Sequence, residues 1–498
     1  MKLTFLPRIL IVFIISALFY NCSKTEDNIP KDIEVQDFVW RGLNAYYLWQ
    51  SDVPDLADLR FNNQNELNSY LEGFSSPEIL FDNLLYTEEN GYPANEKGYD
   101  RFSWIVDDYI ALENAFQGIT LSNGMEFNLF FENGSTTNAY GVVRYVVPSS
   151  NAETQGILRG MVFKAVDGTQ ITNTNYRDLL FGANTDYTIN LADYDGGNPT
   201  LNGTSIALSK SQLQENPVAI TKTFNEGGKK IGYLLYNQFA SSFDGQLNAA
   251  FGTFKANGVT DLIIDLRYNG GGSVQTATYL GSMIATEPNT AVYSQQVWNE
   301  KVMEKNNASD FLNYFTDNIT NTDQNGNVIL DEPINSLGLS TVYFIVTEDT
   351  ASASELVINA LSAYIDVKLV GTQTVGKQVG SITLYDSEDY RRNGADLNTN
   401  HTYAMQPIVL EIKNANGENN PNGYTPEIGL AEDFGQISGN VNLGVLGDVT
   451  EPLLERTINY IVSGSKSTGK SVISIKKEQL TNSKLQKPFA NEMYVDLK

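Results

Sequence analysis

At 498 residues the chain exceeds what one hydrophobic core supports, so two or three domains are expected. Its 33 Lys and Arg against 59 Asp and Glu leave a formal charge of −26, which repels phosphate backbones and sets nucleic acid aside as a partner. A single cysteine and a single histidine exclude an intramolecular disulfide and a Cys/His metal site, and they leave only His401, in a polar loop-like stretch, to activate a nucleophile by the histidine route.

Residues 1–21 read as an export signal: Lys2 and Arg8 precede an apolar run over 9–19, the length of a signal-peptide core and too short to span a bilayer. Cys22, followed at once by the polar residues 23–27, is similar to the lipidation site of bacterial lipoproteins, with 22–31 as the linker behind it. That resemblance implies a membrane anchor through an acylated N-terminus and a place in the cell envelope, as an outer-membrane lipoprotein facing the periplasm or the cell surface. From 32 to 117, Val35, Phe38, Val39, Leu43, Tyr46 and Tyr47 recur at helical spacing and predict a small helical domain. Between 118 and 214 the pattern changes to short alternating strands with Gly and Asn turns. There the segment "GILRGMVFKAVDG" (156–168), with an apolar run before it and a helix-like "NYRDLLFG" (175–182) after it, resembles a PDZ domain. Such a domain captures an extended C-terminal peptide as an added strand.

From 217 to 464, strands rich in Val, Ile and Leu alternate with helices: "KIGYLLYNQF" (230–239), a helix over 244–258, "DLIIDL" (261–266), a helix over 273–285, "TVYFIVT" (341–347), a helix over 352–364 and "VKLVG" (367–371). Apolar strands with helical crossovers predict a layered α/β domain. The lysine-rich, weakly patterned residues 465–498 predict a tail or a short accessory strand. Within the α/β region, Asn321, Asp323, Asn325, Asn327 and Glu332 fall at positions 1, 3, 5, 7 and 12 of an EF-hand-like calcium loop. An Asn-Gly turn explains most of the same residues, and Pro333 stands where an exiting helix would begin.

Two features of the α/β region carry chemistry. "DLRYNGGGS" (265–273) puts a glycine run between a strand and a helix, where backbone amides and a helix N-terminus can face a developing negative charge. "TASASELV" (350–357) puts Ser352 between the next strand and helix, and Lys377 follows in "GTQTVGKQVG". A serine hydroxyl needs a base, and with histidine nearly absent a desolvated lysine is the available one. Read singly, Ser352 is an ordinary helix N-cap and Lys377 an ordinary surface charge.

Together these segments, with "GYTPEIGL" (423–430), resemble the S41 peptidases, the C-terminal processing or tail-specific proteases. The resemblance implies a multi-domain α/β protein: a layered ClpP/crotonase-like catalytic domain, a small PDZ-like β domain and an N-terminal helical domain. It implies a serine endopeptidase acting on exported proteins or peptides, with Ser352 as nucleophile, Lys377 as general base and no cofactor. The oxyanion amides would be those of Ala353 and Gly271, with Gly270 as the alternative. Ser381 stands where many members carry Gln, so the group that orients the lysine is open between Ser381 and Glu355. Two rival readings keep the same fold: a catalytically silent peptide-binding lipoprotein, and a crotonase-like acyl hydrolase that does not need the Ser/Lys pair.

Overall fold

The computed structural model describes residues 29–323, 325–466, 478–487 and 489–496. The export signal, Cys22 and most of the linker behind it lie outside the described residues. The N-terminal part is helical. Helix α1 (Glu34–Tyr46) turns Phe38, Val39 and Leu43 inward, at the spacing that puts them on one face. They join the apolar core that also buries Leu234, Ile264, Phe344 and Leu356, so this helical region is packed onto the α/β layer and shares its core.

Next comes a sheet module with a core of its own, built on Phe127, Leu129, Val143, Phe163 and Ile189. Its strands β1 (Met125–Phe131) and β2 (Ala139–Val146) pair antiparallel. The strands Val162–Val166, Asp186–Asp193 and Thr200–Ser209 extend the sheet on the β2 side. The helix expected over 175–182 is a short π-helical turn, Arg177–Phe181.

The α/β region follows the predicted order closely. Strands β3 (Lys229–Tyr236) and β4 (Asp261–Asp265) pair in parallel across the helix Asp244–Asn257. After β4 come the two-residue strand β5 (Gly272–Ser273) and helix α2 (Val274–Ile284). Strand β6 (Thr341–Val346), helix α3 (Ala353–Ser362) and strand β7 (Asp366–Gly371) make a second parallel crossover beside β4. Alternate residues of this sheet serve two cores, Leu234, Ile264 and Phe344 on one face and Ile263, Ile345 and Val370 on the other. Burial on both faces is what a parallel sheet between helices requires, and it explains the unbroken apolar runs of its strands. Strand β8 (Val379–Ser381) leaves this sheet for a second one that also contains Ile408–Lys413 and Val292–Trp298.

Of the two readings of the C-terminal residues, the described ones form short accessory strands: β9 (Gln479–Asn482) adds to the free edge of β1, and β10 (Met493–Tyr494) inserts between β5 and β8. The EF-hand-like segment is a hairpin, Asn318–Thr322 against Val328–Pro333, instead of a helix-flanked loop. Asp323 turns its carboxylate onto the Asn325 and Asn327 amides, while the side chains of Asn321 and Glu332 are spent on Asp244 and Asn248. The five calcium-spacing residues therefore do not converge, because the strand pairing holds Asn321 opposite Leu330 and Glu332 opposite Ile319.

Candidate active site

The site forms where β4 and β6 end, which is where the crevice of a parallel α/β sheet lies. After β4 the chain turns through the glycines, and Asn269 organises that turn. Its side chain donates to the Tyr236 carbonyl (2.8 Å) and accepts from the Gly271 amide (2.9 Å). Its carbonyl takes the Ser354 hydroxyl at 3.0 Å, tying the glycine turn to the turn that carries Ser352. Gly271 and Gly272 sit at φ +113° and +136°, backbone that favours glycine. A Cβ would also lie 2.4 Å from the Glu492 carbonyl oxygen at Gly271 and 2.2 Å from that of Phe239 at Gly272. Beneath the turn, Arg267 is wholly buried in ion pairs with Asp265 and Glu451, both at 2.7 Å, which fixes the end of β4.

After β6, Ser352 takes φ +66° and ψ −119°. A non-glycine residue held there costs about 1–3 kcal/mol and persists only where its surroundings impose it. Here they do. The Glu355 carboxylate accepts from the Ser352 amide (3.0 Å), the Gly376 amide (2.8 Å), the Lys377 amide (2.8 Å) and the Thr374 hydroxyl (2.5 Å). Burial pushes the Glu355 carboxyl up from its ordinary value, against these four hydrogen bonds. Glu355 thus joins the backbone of the serine turn to that of the lysine turn, without touching the lysine amine.

Ser352 and Lys377 are 0% and 1% exposed, and neither the Ser352 hydroxyl nor the Lys377 amine has a hydrogen-bond partner. Ser352 occupies the N-cap of α3 in a capping-box arrangement with Glu355, whose carboxylate takes the Ser352 amide, while the serine hydroxyl itself is left without a hydrogen bond. Both residues line one cavity of about 10 Å³ together with Glu355, Tyr424 and Met493, close to the minimum space for a single water. The Lys377 amine lies 4.8 Å over the Phe102 ring and 3.5 Å from Glu492 Oε1, an ion-pair contact too long for a good hydrogen bond. Burial pulls this amine below its ordinary value, and the Glu492 carboxylate works against that pull.

The remaining predicted residues separate. Gly271 and Ala353 are brought together beside Ser352: a Cβ on Gly271 would stand 2.7 Å from Ser352 Cβ and 3.0 Å from the Ala353 nitrogen. The Gly271 N–H, however, is given to Asn269, and Gly270 packs against Asn491. The neighbouring amide of Gly272, which the sequence reading does not select, donates to the Glu492 carbonyl at 2.5 Å. Ser381 does not reach the lysine directly. Its hydroxyl donates to Glu492 Oε1 and accepts from Gln406 (3.0 Å), while Trp104 donates to the other Glu492 oxygen at 2.9 Å. Glu492, Asn269 and Gln406 are the site residues that sequence reasoning misses. Asn269 lies inside the quoted glycine motif and could have been found there, whereas Glu492 sits 115 residues beyond the lysine (492 − 377) in a stretch without pattern.

This multi-domain α/β arrangement is the fold of solved proteases of the S41 type. A structure assigned to the S41 proteases, from Bacteroides fragilis NCTC 9343, superposes with a TM-score of 0.61 at 24% identity, over 86% of this chain and 97% of that one. The model of peptidase family S41 matches residues 230–403, and that of the peptidase S41 N-terminal domain matches 34–104. Residues 230–403 thus carry a domain of the peptidase S41 type, with the S41 N-terminal domain ahead of it. Among curated relatives, the carboxyl-terminal-processing protease of Picosynechococcus sp. PCC 7002 is 24% identical over 233 residues, 46% of this chain and 49% of that protein. The chloroplastic C-terminal processing peptidase of Tetradesmus obliquus is 25% identical over 185 residues, 35% and 39% of the two chains. The chain thus spans half or less of the length of these relatives.

Proposed function

We propose that this protein is a serine endopeptidase in which Ser352 attacks the scissile carbonyl and Lys377 accepts and returns the proton. The observation that carries the reading is the pairing of two buried, hydrogen-bond-free groups, a hydroxyl and an amine, on one cavity, with both backbones held by Glu355. A nucleophile kept in unfavourable backbone geometry, its hydroxyl free of hydrogen bonds, fits a catalytic demand better than a structural one. A desolvated amine supplies a base near neutral pH, which an exposed lysine with a pKa of about 10.4 cannot. Stabilisation of the oxyanion falls to the amides of Ala353 and Gly270, that of Gly271 being given to Asn269, and the match of residues 230–403 to the S41 family model supports the reaction class.

In this reading the substrate is an exported protein or peptide, recognised through its C-terminus by the sheet module acting as a PDZ-like domain. A groove of about 560 Å³ supports that assignment. It runs between β1 and the Arg177–Phe181 turn, lined by Phe127, Leu180, Phe181 and Lys210, an apolar trough with a cation suited to an extended chain. Lipidation at Cys22 would hold the enzyme in the cell envelope.

Hydrolysis of an unfolded protein such as casein tests the chemistry. Ser352→Ala and Lys377→Met are each expected to lower kcat at least a hundredfold while the folded state survives by circular dichroism. Wild-type rates in either folded variant would end the proposal.

A further inference from the structure

The C-terminal residues lie where a substrate has to pass. β9 runs antiparallel along the edge of β1, with Asn482 opposite Asn128 and Thr481 opposite Leu129. Ser483 then exchanges two hydrogen bonds with Phe127, each 2.9 Å. The Lys484 amine crosses to the α/β layer and donates to the carbonyls of Asn237 (3.0 Å) and Tyr268 (2.9 Å). Further on, Asn491 covers Gly270, the Glu492 carbonyl takes the Gly272 amide, and β10 pairs with β5. Met493 is fully buried against the cavity of Ser352 and Lys377, and the Glu492 carboxylate faces the amine. The segment therefore adds itself as a strand first to the sheet module and then to the glycine turn, which is how extended peptides bind a sheet edge.

Its presence closes the site. A cavity of about 10 Å³ admits one water but no peptide, and on the glycine side the backbone of Asn491 and Glu492 lies against Gly270, Gly271 and Gly272. Open space exists on the far side of β10, in a groove of about 890 Å³ lined by Gln275, Tyr279, Trp298 and Tyr494. Reaching Ser352 from there again means passing Tyr494. The ladder at the end of the segment is short, two register pairs to β5 and one to β8, and the remaining ties are those of Glu492 to Gly272, Ser381 and Trp104. Elements with so few ladder contacts open at a fraction of the global stability.

We propose that residues 489–496 are an intramolecular occupant of the substrate path, a strap that is displaced when a substrate strand enters along the same edge. The proposal rests on the Ser352/Lys377 reading for the position of that path. Being tethered, the strap competes at high effective concentration, so the resting chain is expected to hydrolyse slowly and the apparent affinity for substrate to fall by the closed fraction.

Deuterium uptake in the full chain tests it and separates its failure from failure of the catalytic reading. In folded full-length Ser352→Ala, with catalysis removed, saturating casein is expected to raise uptake in residues 489–496 several-fold. Unchanged uptake overturns the strap whatever the activity, and raised uptake with undiminished activity in Ser352→Ala keeps the strap while removing Ser352 as nucleophile.

Discussion

Ser352 and Lys377 are ordinary side chains placed in costly positions, and Glu355 and Glu492 account for the two placements differently. Glu355 fixes backbone; Glu492 sets charge. A carboxylate 3.5 Å from a buried amine favours the ammonium form, while burial favours the neutral amine, the only form that can take a proton from serine. The sign of the test follows. The rate constant kcat/KM, which reports groups of the free enzyme, should rise with pH as Lys377 loses its proton. Glu492→Gln keeps the side chain's shape, removes the charge and lets burial act alone, so the rising limb should move to lower pH by about one unit or more. A limb that stays in place or moves upward would mean that Glu492 does not govern the lysine. At this scale the sequence was generous where chemistry is local in the chain. The serine, the lysine and Glu355 stand in compact motifs, and the glycine turn was legible as a break between strand and helix. Glu492 was not legible, because its partner is brought to it by the return of the C-terminus, and nothing in its own neighbours marks that contact.

The elements were legible to the degree that they bury both faces. The apolar runs of β3, β4, β6 and β7 left no alternative to a parallel sheet, and the helices Asp244–Asn257, α2 and α3 fall within a residue or two of their expected ends. Two-residue strands such as β5 and β10 carry no periodicity, so they had no signal to read. The same limit explains the calcium-like segment, where residue types fit a loop and the pairing of two strands decided otherwise. α3 owes its start to Glu355, which gathers the donors of two turns onto one carboxylate. Glu355→Gln keeps the volume but turns an amide donor toward groups that are themselves donors. With hydrogen bonds to a buried charge worth about 1.5–3 kcal/mol each and at least one lost outright, a destabilisation of about 2–4 kcal/mol is expected in urea denaturation. Activity should fall further than stability does, because Ser352 would then relax from its positive φ. A variant as stable and active as the parent would show that the serine turn needs no such anchor.

At the scale of the molecule, a chain with net charge −26 closes on itself through a lysine-bearing C-terminal segment. The join between the sheet module and the α/β layer is polar and buried. Lys487 pairs with Glu126 at 2.8 Å, Ser483 donates to the same carboxylate, and Lys484 is pushed down to about 8 by burial although Glu215 and Glu126 oppose the shift. Glu126 itself is held below its ordinary value by Lys487 and Lys484, which outweigh a large desolvation penalty. A carboxylate depressed in this way contributes stability above its unfolded pKa of about 4.5, and that contribution is lost as pH falls through the lower folded value. Buried pairs are worth little against apolar replacements but fail badly when one partner is removed, by about 3–5 kcal/mol. Lys487→Met should therefore destabilise at pH 7 by that order, since Glu126 keeps its burial and loses its main counter-charge. In acid the penalty should shrink, because a protonated Glu126 no longer needs the lysine. Adding Glu126→Gln to Lys487→Met should restore most of the loss at pH 7, a coupling that a double-mutant cycle reads directly. If the two losses simply add, the C-terminal segment is held to β1 by its backbone pairing alone, and the charges on either side of the join are incidental.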